Sequence, residues 1–204
     1  MLLGIKTWRE VFRRHLIVGS SAGILVWLFY LSRPALPGDI ALGRALGDVG
    51  FILLCLTLAV GPLSRLYLPA LRLVSWRRET GIWFFVLALG HALRLFKFAL
   101  AEPGLALSNM LGLTALILAF FLAATSSDWA VNFLGISSWK WLHQSAYTIF
   151  YLVSLHAAYF LFFRYPEATN WFRWPFLFLV VTVLSLQIAA FIKTVSQQKT
   201  KNWY

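Results

Sequence analysis

The chain has 204 residues, 60% of them hydrophobic and only 12% charged, with a mean hydropathy of +0.75. Soluble domains carry about a quarter charged residues, and several runs here approach or pass the ~18 apolar residues of a spanning helix. This argues against a soluble enzyme, and the net charge of +11 has no soluble basic module through which to bind nucleic acid.

Residues 1–15 form a basic amphipathic start, and 16–32 form the first expected span. A charged start before an apolar run can be a signal peptide. The run exceeds a usual signal core and no clear small-residue cleavage site follows, so it is read as a spanning helix. Residues 34–47, with Pro37-Gly38-Asp39, read as a short loop. The second span covers 48–68, with a kink or early stop expected at Gly61-Pro62. The lone Cys55 lies within it; it cannot make an intrachain disulfide and reads as a small core residue.

The third span covers 81–101 and the fourth 107–124, with a turn at Glu102-Pro103-Gly104. Residues 128–141 read as a polar-aromatic loop, and 143–163 as the fifth span. A Trp- and Arg-rich loop leads to the sixth span, 175–192, where Pro175 suits a first helical turn. A polar, basic tail follows. The expected fold is all-α: a six-helix transmembrane bundle forming a single domain over 1–204.

Six spans put both termini on one side. Twelve Lys and Arg fall on that side and six on the other, which makes the termini cytoplasmic. The basic excess then faces the inner leaflet.

Histidine within a spanning segment is a functional hypothesis by default. His143 and His156 are thirteen residues apart, ~20 Å along a helix, too far to share one metal ion. Their side chains differ by about 140° around an ideal helix, imperfect for two sites stacked on one face. The third span runs in the same direction as the fifth. His91 lies thirteen residues beyond Arg78, as His156 lies thirteen beyond His143, so His91 and His156 should match in depth. Two neutral imidazoles from facing helices can take both axial positions of a haem iron. A filled coordination sphere favours electron transfer over oxygen binding.

His143 has Arg77 or Arg78 at its depth, and arginine has no lone pair for iron. Two alternatives stay open. A second haem hangs on His143, or Arg77, Arg78 and His143 bind haem propionates or another small cofactor such as FMN or a quinone. His15 closes a basic run at the membrane edge and is not expected to ligate. Most aromatics read as interface belt and lipid-facing packing.

The ordered set Gly61-Pro62-Leu63-Ser64-Arg65-Leu66, then Arg77-Arg78-Glu79-Thr80-Gly81 leading to His91, then Thr125-Ser126, then Trp139-Lys140-Trp141-Leu142-His143 with Tyr147 and His156, resembles the ferric-reductase-like transmembrane domain, and within it the MsrQ haem-binding subunits. The resemblance covers roughly residues 45–165. It implies a multi-pass protein of the bacterial inner membrane that holds haem b, one or two per chain, with His91, His143 and His156 on the family's ligand positions. It also implies electrons arriving from a quinone or a cytosolic flavin reductase, and leaving to a periplasmic molybdopterin oxidoreductase of the MsrP type that repairs oxidised methionine.

Three features depart from the pattern. The 34–47 loop is short and lacks the family's sequence. Arg78 or its neighbour stands where the two-haem oxidases have a histidine. No NADPH- or FAD-binding domain follows the sixth span, so the donor is expected to be another molecule. No substrate-reducing site is expected in the chain itself. The competing expectations are the membrane domain of a ferric or quinone reductase with another partner, and a non-redox haem-handling membrane protein.

Overall fold

A computed structural model describes residues 8–101, 104, 106–164 and 171–201, with side chains up to residue 198. The basic start before Trp8, the turn residues Glu102 and Pro103, and most of the loop after Arg164 lie outside the described residues. Those described are almost entirely helical, with no strand among them. Six helices are long and apolar enough to cross a membrane: α1 (Trp8–Leu31), α2 (Gly38–Leu66), α3 (Arg77–Ala101), α4 (Ala106–Ala124), α5 (Ile136–Ala158) and α6 (Arg173–Lys201).

The bundle is built around α2, which packs against α1, α3, α5 and α6, while α4 packs against α3 and α5. Its buried face holds Val49, Phe51, Leu53, Leu54, Cys55 and Leu58. Phe51 meets the rings of Phe150 on α5 and Phe176 on α6. Lipid is as apolar as leucine, so helices in a bilayer associate by close packing of small residues rather than by hiding large ones. The chain follows this rule only in part, since small residues are buried beside large ones such as Phe51, Leu58 and Phe150. Ala22, Ala41, Ala45, Ala115 and Ala119 are buried, while Leu28, Leu93, Phe120 and Phe178 are exposed. Cys55 is buried and free, as expected of a core residue.

Three boundaries correct the sequence reading. Residues 38–47, expected as loop, form the first turns of α2. Pro37 precedes the helix and Asp39 lies in its first turn, where a negative charge favours the helix dipole. Hydropathy missed these turns because they carry charge. Those charges have partners: Arg94 donates to Asp39 at 2.9 Å, and Arg33 pairs with Asp48. Second, α2 continues through Pro62, so the early stop is absent, and the helix closes at Tyr67 near the expected end of the span, where the Tyr67 N–H donates to the Leu63 carbonyl at 2.8 Å. Third, the expected loop 128–141 holds a short helix, Asp128–Leu134, and the start of α5. Ser127 caps that helix by accepting from the Ala130 N–H at 3.1 Å. Gly135, at φ +76°, makes the break that lets α5 begin.

Beyond His156, α5 changes to π-helix over Tyr159–Arg164. The polar tail is helical through Lys201, so α6 extends well past residue 192. Lys193 donates to the Arg65 carbonyl at 2.7 Å and so ties α6 to the end of α2.

Candidate cofactor site

His91 projects from α3 and His156 from α5. The structure brings them together, with ring centroids 6.2 Å apart and planes crossed at 89°. The matched depth expected from the thirteen-residue spacings is therefore present. Two imidazoles that share one metal through Nε2, with metal–nitrogen bonds of ~2 Å each, have centroids roughly 6 Å apart.

Each ring is held from behind by a neighbouring helix. His91 Nδ1 lies 2.8 Å from the Gly43 carbonyl oxygen on α2. His156 Nδ1 lies 2.8 Å from the Ser108 carbonyl oxygen on α4. A carbonyl can only accept, so Nδ1 carries the proton in both rings. In the neutral imidazole this leaves the lone pair on Nε2, the atom opposite the anchor. This tautomer and outward anchoring typify a metal-ligating histidine.

Glycine makes the close approach possible. A Cβ on Gly47 would lie 2.7 Å from His91 Nδ1, and one on Gly112 would lie 3.0 Å from His156 Nδ1. Phe160 packs edge-on against His156 at 5.1 Å.

His143, at the other end of α5, is placed differently. Its ring stacks on Trp139 at 4.1 Å. Its Nε2 lies 3.2 Å from Thr125 Oγ1. Thr125 Oγ1 also lies 2.7 Å from the Phe121 carbonyl oxygen, so the hydroxyl can donate there and accept from His143 Nε2 in its Nε2–H tautomer. Trp139 Nε1 donates to the Thr125 carbonyl at 2.9 Å and locks the arrangement.

Arg77 and Arg78 are within electrostatic range of His143. Arg77 Nε donates to the Thr57 carbonyl at 3.1 Å, and Arg78 pairs with Asp128. No second histidine joins His143, and among the described residues no group of three or more His, Cys, Asp or Glu side chains could hold a metal ion.

Sequence reasoning missed Gly43, Gly47, Ser108 and Gly112, and named Thr125 only as part of the family pattern, without a role. A signal for the first four was present: Gly43 and Gly47 stand four apart, as do Ser108 and Gly112. Small residues at this spacing mark helix faces open to close approach.

With this geometry in view, the relatives decide the family. The MsrQ protein of Polaromonas naphthalenivorans, a protein-methionine-sulfoxide reductase heme-binding subunit, is 30% identical over 172 residues, covering 78% of this chain and 75% of the relative. The chain belongs to the MsrQ family. MsrQ of Bordetella pertussis is 33% identical over 157 residues, covering 71% of each. The magnetosome protein MamZ of Magnetospirillum gryphiswaldense is 31% identical over 173 residues, but the chain spans only 26% of that protein's length. No protein-family model matches.

Proposed function

We propose that this MsrQ-family chain is a haem b electron-transfer subunit in which His91 and His156 would hold one haem between them. The crossed imidazole pair, with both Nδ1 atoms anchored and both Nε2 lone pairs available at a 6.2 Å centroid separation, carries this reading. Bound there, haem supplies a one-electron couple. The residues around it do the rest. Gly43 and Ser108 fix the tautomers, Gly47 and Gly112 admit the rings, and Phe160 shields His156.

The chain lies in the bacterial inner membrane with both termini cytoplasmic, which places His91 and His156 toward the periplasm. Two observations support that orientation: the basic excess on the terminal side and the family membership. The acceptor is a periplasmic methionine sulfoxide reductase catalytic subunit of the MsrP type. The donor is a quinol or a cytosolic flavin reductase. Near the cytoplasmic face, His143, Arg77 and Arg78 present donors and positive charge, which suit the oxygens of a quinone or flavin better than a second iron.

The test is a reduced-minus-oxidised spectrum of the purified chain, with haem quantified per chain. The expected result is one low-spin haem b that a quinol or a flavin reductase reduces and an MsrP-type protein reoxidises. A haem-loaded chain that neither donor reduces would remove the electron-transfer role.

A further inference from the structure

The two histidine seats share one design. On α2, Gly43 and Gly47 stand four residues apart, and on α4, Ser108 and Gly112 do the same. In each seat the first residue's carbonyl accepts the Nδ1–H at 2.8 Å. In each, the second residue is a glycine over which the ring lies. A Cβ at Gly47 would come within 2.7 Å of His91 Nδ1, and a Cβ at Gly112 within 3.0 Å of both Cε1 and Nδ1 of His156. A methyl group at Gly47 would force the His91 ring to shift, and one at Gly112 would press the His156 ring by a few tenths of an ångström. Small residues at this spacing usually let two helix backbones approach. Here they admit an imidazole.

The seats differ in one group. Gly43 has no side chain, whereas Ser108 is buried, at 5% exposure, and its Oγ lies 3.3 Å from His156 Nδ1. The His156 proton thus has two oxygens within reach, and the His91 proton, among the described residues, has the carbonyl alone. Acceptors behind an axial imidazole raise its basicity and shift a bound iron toward its oxidised state.

We infer that Gly43–Gly47 and Ser108–Gly112 are matched imidazole seats that hold the ligand planes crossed, and that Ser108 is a positioning residue that makes His156 the more basic ligand. This rests on the assignment of His91 and His156 as haem ligands. Crossed ligand planes give ferric low-spin haem a strongly anisotropic EPR signal, and aligned planes give an ordinary rhombic one.

The experiment measures ferric EPR, midpoint potential and haem per chain on the purified, haem-loaded protein and on Ser108→Ala, Gly47→Ala, Gly112→Ala and Gly23→Ala. Gly23 is the control, since a Cβ there meets nothing within 4 Å. Wild type and Gly23→Ala are expected to show the strongly anisotropic signal. Ser108→Ala is expected to keep its haem and shift to a higher potential. Gly47→Ala and Gly112→Ala are expected to turn the signal rhombic or to lose haem.

If a glycine variant does not fold, the Ser108→Ala potential still decides. A wild-type potential in Ser108→Ala, or a wild-type EPR envelope in both glycine variants, overturns the inference while the haem assignment stands. Failure of the assignment itself looks different: His91→Ala and His156→Ala would keep the wild-type low-spin signal.

Discussion

His91 and His156 are held at Nδ1 by backbone carbonyls, with glycine beneath the ring and Nε2 turned away from the anchor. His143, at the opposite end of α5, is held at Nε2 by a threonine hydroxyl and covered by tryptophan. All three are histidines in spanning helices, yet their chemistry diverges. In the pair the protein's contact falls on Nδ1, whereas in His143 it falls on Nε2, with Arg77 and Arg78 within electrostatic range. The ion pairs of the two ends also contrast. Arg33, near the pair, is 3% exposed and bound to Asp48 under the Trp171 ring, while the Asp128 partner of Arg78 is 85% exposed. The environment, rather than the residue type, decides which ring nitrogen of each histidine the protein engages.

The largest test of this contrast removes the rings. His91→Ala and His156→Ala should each abolish the whole low-spin haem signal, while His143→Ala should leave it largely intact in a reduced-minus-oxidised spectrum. Equal loss from all three would erase the distinction between the ends.

Next come the ion pairs. Arg33→Ala strands a buried carboxylate and should cost about 3–5 kcal/mol. Arg78→Ala should cost about 1 kcal/mol or less, because exposed pairs contribute little. Unfolding of the purified protein in detergent would compare the two, and similar losses would contradict the difference in burial.

A smaller effect is expected from Trp139→Phe, which removes one hydrogen bond to the Thr125 carbonyl and should cost about 1 kcal/mol. The haem signal should not change, and a spectral shift would tie Trp139 to the haem site after all. The most local is Ser127→Ala, worth about 1 kcal/mol and confined to the Asp128–Leu134 helix. Faster amide exchange confined to Ala130 and its neighbours is the expected readout, and none at all would mean the cap is idle.

Much of the fold was legible because lipid demands long apolar runs, and such runs survive any rearrangement of neighbours. The boundaries that failed share one cause. Asp39 and Arg44 made the start of α2 look like loop, yet Asp39 sits in the first turn, where the helix dipole favours it, and pairs with Arg94 from another helix. Ser127 and Gly135 punctuate helices, but in sequence they resemble any polar turn.

The sequence by itself determined six apolar helices, the basic excess on one side, and the equal depth of His91 and His156, because helical rise converts residue number directly into height. Tertiary structure alone decided which nitrogen of each ring is bound, which glycines lie beneath them, and that His143 faces Thr125. Those facts depend on the rotation and closeness of helices far apart in the chain, and rise per residue carries no information about either.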